Sequence, residues 1–166
     1  MAEPIIEVTP GEISTLTLKR PERRNALNVE LMSALETAAR SFADSHETRV
    51  VIVRGEGESF SAGADLSAGD GARSEPLVAR RHAARLGGRM LRSILEIPQP
   101  TICEIQGVAI GGGACIATAC DFRVAADDAR IGYAEVRLGM NLMWNALPLC
   151  VGLIGPARTK RMLMTG

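Results

Sequence analysis

The chain has 166 residues, 46% of them hydrophobic but only 3% aromatic, and its formal net charge is zero. That length supports one domain with its own core, which must be assembled from Ala, Val, Ile, Leu and Met. Balanced charge, with no long basic run and almost no interleaved aromatics, argues against a nucleic-acid surface, and no apolar run reaches membrane-spanning length.

The first residues, MAEPIIEV, lack the charged start and apolar stretch of a secretory leader, so a cytoplasmic protein is expected. The cysteines are Cys103, Cys115, Cys120 and Cys150; none forms a CxxC pair, and His46 and His82 show no ligand spacing. No metal is expected, and the cysteines read as small buried hydrophobes in a reducing compartment. No internal repeat is visible.

In chain order, IIEVTPGEISTLTLKRP predicts two short strands joined by a turn at Pro10-Gly11. NVELMSALETAARSF places Leu31, Leu35, Ala38, Ala39 and Phe42 at helical spacing, with Asn28 as N-cap. RVVIVRG is a continuous apolar strand, which suggests a sheet covered on both faces. The Gly/Ser/Ala-rich stretch from Gly55 to Pro76 reads as a long functional loop. LVARRHAARLGGRMLRSIL is helical in period, with Leu86, Met90, Leu91, Ile94 and Leu95 on one side, although Gly87-Gly88 weakens it. PTICEIQG is a strand, ACIATAC a buried helix of small residues, and DFRVAAD a further strand. GPARTKRMLMTG begins a last helix with Pro156 in its first turn. The alternation of strand and helix makes the class α/β.

Between PTICEIQG and ACIATAC stand three glycines, Gly111 to Gly113. A glycine-rich turn into a helix presents unpaired N–H groups that favour negative charge. A phosphate loop would need Gly-Lys-Ser/Thr, but Ala114-Cys115 follows; a dinucleotide fingerprint would need glycine where Ile116 stands. An oxyanion hole and close helix–strand packing both remain open on spacing alone. A second small-residue turn, FSAGAD from Phe60 to Asp65, follows another buried strand. The two turns could each offer one N–H to a single oxygen.

Together, NALN (25–28), SFSAGADL (59–66), the long segment 98–140 and VGLIGPARTKRMLMTG (151–166) resemble the enoyl-CoA hydratase/isomerase, or crotonase, family in one collinear order. The resemblance implies a spiral of repeated strand-strand-helix units and ligands that are coenzyme A thioesters, with coenzyme A a part of the substrate rather than a resident cofactor. It implies oxyanion donors at the N–H groups of Ala64 and Gly112, with Gly112 bare so that its amide can approach the ligand. Glu135 matches the family's second catalytic glutamate. The adenine would lie against Ala62 and Leu66, and Arg23 and Arg24 would meet phosphates. Asp65 reads as a turn-bonding residue, and Arg80, Arg81, Arg85, Arg89 and Arg92 as a solvated face.

The pattern departs from the family at Cys115, where hydratases carry their first glutamate, and a thiol is a poor substitute for it. An enoyl isomerase shifting a 3,4 double bond to 2,3, with Glu135 as proton shuttle, fits better than a hydratase. Met143 stands where dienoyl isomerases carry Asp. A nucleophilic Cys115 thiolate is a sharper alternative, but no His is near in sequence and Ala114 and Ile116 flank it. A non-catalytic acyl-CoA binding or assembly protein is a further reading. Trp144 and Asn145 are unusual for the family; Trp144 either fills core space or walls the acyl pocket. The family pattern continues past residues 164–166 into C-terminal helices that complete the pocket and the contacts of a homotrimer or dimer of trimers, so an exposed apolar patch is expected here.

Overall fold

The computed structural model describes residues 5–67 and 76–166. In chain order its elements are β1 (Ile6–Thr9), β2 (Ile13–Leu18), α1 (Val29–Ser41), β3 (Val50–Gly55), α2 (Leu77–Leu95), β4 (Thr101–Ile105), β5 (Val108–Ile110), α3 (Gly112–Ala119), β6 (Phe122–Ala125), β7 (Arg130–Gly132) and α4 (Ala146–Thr165). β1 and β2 form the hairpin predicted across Pro10-Gly11. From β2 onward the large sheet is parallel, in the order β1-β2-β3-β4-β6, and β5 pairs with β7 in a second, smaller sheet.

Each strand of the parallel run is followed by an excursion into a second layer. After β2, Leu27 bridges Ala64; after β3, Ser61 bridges Ala109; β5 follows β4, and β7 follows β6. Helices α1, α2 and α3 close the first three turns. This is a spiral of strand-strand-helix units. No repeat shows in the sequence because in two turns the second strand shrinks to a single bridge, which needs no β pattern.

Burial along the large sheet alternates with period two. Leu16, Leu18, Val51, Val53, Cys103 and Ile105 are buried and join one cluster with Leu31, Leu35 and Ala39 of α1 and Met90, Leu91 and Ile94 of α2. The apolar strand β3 led us to expect cover on both faces; the structure corrects this. Ile52 and Ile102 are only half-buried, Phe122 and Val124 are exposed, and Arg54 pairs with Glu104 at 3.8 Å on that outer face. Leu95 is likewise 48% exposed rather than turned inward. Asn28 caps α1 as predicted, its Oδ1 accepting from the Leu31 N–H at 2.8 Å.

The glycine triplet does not follow β4 directly. Gly107, at φ +56°, turns the chain into β5 first. The last helix does start at Pro156, but it is the second half of α4: Gly155, at φ +75°, separates it from a preceding helix absent from the sequence reading. No helix among the described residues is long and apolar enough to cross a membrane. Part of the predicted loop, 68–75, lies outside the described residues.

Candidate active site

The two glycine-rich bends come from consecutive turns of the spiral, and that topology makes them neighbours. The Ser61 N–H donates to the Val108 carbonyl at 2.9 Å, and the Ile110 N–H donates to the Ser61 carbonyl at 3.0 Å. Glycine permits the contact to close. A Cβ on Gly63 would collide with the Ile110 carbonyl and stand 3.2 Å from the Gly112 nitrogen, and one on Gly113 would stand 2.6 Å from the Ser61 carbonyl oxygen. Gly111, at φ +54°, makes the left-handed turn into α3, and its own N–H donates to Gly132 at 2.9 Å.

A polar frame holds the first bend. Asn25, buried and at φ +52°, accepts from the Arg20 N–H at 2.8 Å through Oδ1 and donates through Nδ2 to the carbonyls of Glu56 and Ser59, both at 2.9 Å. Ser61 Oγ donates to the Asn25 carbonyl at 2.8 Å and accepts from the Gly63 N–H at 3.2 Å. Asp65 accepts from the Ser67 N–H at 3.0 Å and from its hydroxyl at 2.6 Å, and it pairs with Arg20 at 3.1 Å. Those bonds, the Ser67 ones foremost, hold its carboxyl down at about 2. Asp65 is thus a turn-bonding residue, as read from the sequence. The role of Asn25 was missed, although its place in NALN was the available signal.

With the bends so tied, the N–H groups of Ala64 and Gly112 donate to no acceptor among the described residues. Both residues line a cavity of about 100 Å³ with Gly63, Ile110, Cys115, Glu135, Leu138, Met140, Met143 and Trp144. Glu135 arrives on the short 3-10 turn Glu135–Leu138 after β7. Its Oε2 is buried and has no hydrogen-bond partner among the described residues, and its Oε1 lies 3.3 Å from where a Cβ on Gly111 would be. A buried carboxylate oxygen without a partner is uncommon in a stable fold. Glu135 is the one carboxylate on the described lining of this cavity.

Cys115 sits one turn into α3 and is buried. Burial first, then the charge of Glu135 and the neighbouring Cys150, push its thiol up to about 12. The helix dipole therefore does not yield a thiolate at neutral pH, which counts against the nucleophile reading. Beneath it, the buried Tyr133 shares its hydroxyl with Thr118 Oγ1 at 2.5 Å, and burial raises its ionisation above the ordinary range for tyrosine.

Ala62 and Leu66 are exposed and line the same cavity. The Ala62 N–H donates to the Arg24 carbonyl at 2.8 Å, so the backbone of Arg24 abuts this rim. The side chains of Arg23 and Arg24 are exposed, and neither lines the cavity. Packing gives Gly112 a second reason to be bare. A Cβ on Gly112 would meet Trp144 Cη2 at 2.6 Å and Leu27 Cδ1 at 2.9 Å. Side-chain packing thus disfavours a Cβ here independently of any ligand. In α2, Arg89 pairs with Glu36 at 3.4 Å and Arg92 with Glu96 at 2.7 Å, while Arg80, Arg81 and Arg85 are exposed.

Solved structures share this architecture. An enoyl-CoA hydratase from Bacillus anthracis superposes with a TM-score of 0.88 at 32% identity, covering 98% of this chain and 63% of that one. An enoyl-CoA hydratase/carnithine racemase from Magnetospirillum magneticum superposes with a TM-score of 0.90 at 30% identity, covering 99% of this chain and 62% of that one. The fold is the crotonase fold, of α/β class. In sequence, the chain is 33% identical over 164 residues to the crotonyl-CoA hydratase of Syntrophomonas wolfei, covering 98% of this chain and 62% of that protein. Residues 9–166 match the family profile for enoyl-CoA hydratase/isomerase, and the chain belongs to that family. It spans a little under two thirds of the length of these relatives.

Proposed function

We propose that this chain binds an enoyl thioester of coenzyme A and moves its double bond through a stabilised enolate. Two main-chain N–H groups and one carboxylate on a single cavity carry this reading. In the proposed cycle the thioester oxygen accepts hydrogen bonds from Ala64 and Gly112. Glu135 removes a proton from C2 of a 3-enoyl chain, and the electron pair delocalises onto that oxygen. The enolate then takes the same proton back at C4, which leaves the double bond between C2 and C3 and Glu135 again ionised. Fixed donors aimed at developing negative charge are each worth about 3–4 kcal/mol in the barrier. The coenzyme A end would rest on Ala62 and Leu66, with Arg23 and Arg24 toward its phosphates.

One carboxylate suffices for a shuttle between carbons. Hydration calls on two to hold and activate water, and the second acidic position is here the un-ionised thiol of Cys115. The names of the relatives favour the other reading, a hydratase, in which water would be held by Glu135 and a group other than residue 115. Supplying 3-enoyl and 2-enoyl thioesters side by side separates the two. The isomerase reading expects turnover of the 3-enoyl compound, and loss of it in Glu135→Gln. Hydration of the 2-enoyl compound alone would replace it with the hydratase reading, and activity indifferent to Glu135→Gln would overturn the site. Thioester binding without turnover of either would leave an acyl-CoA binding protein.

A further inference from the structure

Trp144 takes no part in the proposed chemistry, yet its setting is unusual. Its φ is +62° and that of Asn145 is +60°. Bulky side chains rarely occupy this left-handed region, and such strain persists only where the surroundings over-determine it. Here the surroundings are two glycines on different helices. A Cβ on Gly87, in the interior of α2, would run into indole Cδ2, Nε1 and Cε2; a Cβ on Gly112, at the start of α3, would run into Cζ3 and Cη2. Glycine is a poor helix former, and its presence within α2 makes room for this ring. The indole is wedged between the two helices.

The wedge divides two spaces. On one side is the cavity of about 100 Å³ that holds Glu135 and Cys115. On the other is a cleft of about 380 Å³ lined by Arg85, Gly88, Arg89, Arg92 and Asn145. Trp144 lines both.

We propose that Trp144 is the end wall of the acyl pocket and restricts this chain to short acyl groups. The inference rests on the acyl-CoA reading above and adds to it the substrate class. The same cavity is lined by Ala64 and Gly112, where the thioester would sit, so little of it is left for acyl carbons before the indole is reached. A longer chain would have to pass through the indole into a cleft of arginines, and the ring cannot swing aside into α2 without displacing the Gly87 backbone.

The test uses calorimetric titration with butanoyl-CoA and decanoyl-CoA, saturated thioesters that bind without turnover. The wild-type protein is expected to bind butanoyl-CoA at least about tenfold more tightly, the scale on which pocket size discriminates. In Trp144→Ala that ratio falls to about 1 or inverts, and in Trp144→Phe it lies between. Gly87→Ala drives the indole toward the cavity and weakens butanoyl-CoA binding about tenfold; in the Trp144→Ala background it has no such effect, because the two act through one contact. Equal wild-type affinities, an unchanged ratio in Trp144→Ala, or a Gly87→Ala effect that persists without the indole would each overturn the wall. If Trp144→Ala does not fold, Trp144→Phe and the wild-type ratio decide it. Failure of the wild type to bind either thioester would instead overturn the acyl-CoA reading.

Discussion

Glu135 lines the cavity and has a buried oxygen with no partner among the described residues, whereas Asp65 has both oxygens engaged. The two carboxylates therefore answer mutation differently. Glu135→Gln should lower kcat/KM by about 10²–10⁴-fold with an unchanged circular dichroism spectrum. Asp65→Asn should act on stability. A carboxyl held at about 2 against an ordinary 3.8 contributes stability that is present above 3.8 and lost as pH falls through about 2. Urea midpoints of the wild type should drop across that window, and those of Asp65→Asn should drop less. Cys115 has the opposite sign: its raised thiol contributes stability below about 9 that fades as pH rises toward about 12. At pH 8 it should resist iodoacetamide in the folded protein and react once unfolded, as mass spectrometry of the labelled peptide would show.

At the scale of elements, cost should follow what each residue touches. Asn28→Ala removes the cap of α1 and should cost about 1 kcal/mol by chemical denaturation, with activity retained. Two glycine substitutions should separate backbone strain from crowding. Gly155 has nothing within 4 Å of an added Cβ, so Gly155→Ala suffers only from its backbone, at φ +75° and ψ 165°, a region left almost wholly to glycine, at about 1–3 kcal/mol. Gly113→Ala meets the Ser61 carbonyl oxygen at 2.6 Å and must pry the two bends apart. It should cost about 3 kcal/mol and lower kcat as well. Helix α1 was legible because its cap and apolar period lie within 15 consecutive residues. The first half of α4 was not: it buries only Ala146 and Cys150 and shows little periodicity.

At the scale of the whole molecule, large apolar side chains are exposed on several elements of the described residues, two groups among them. Leu147, Val151 and Leu153 are exposed on α4, close to Leu138, Met140 and Met143 in sequence, and Phe122 and Val124 are exposed on the outer face of the sheet. Exposed apolar side chains favour association where they adjoin. Sedimentation velocity should show a weight-average coefficient that rises with concentration, and Leu153→Asp should reduce the rise. A concentration-independent monomer boundary would contradict this.

The sequence alone determined the α/β class, the family, the cap at Asn28, the turn role of Asp65 and the candidacy of Glu135. Each rests on a short run of residues, whose spacing reports hydrogen bonds and periodicity within that run. Only the tertiary structure decided that the large sheet is covered on one face, that the bends at Gly63 and Gly112 touch, and that Gly112 and Gly87 are bare to admit Trp144. Those are contacts between segments about 25 to 60 residues apart, and the spiral's lateral stacking creates them. No local pattern encodes which side chain a distant turn will deliver, so the reason for a glycine can be read only from the neighbour it admits.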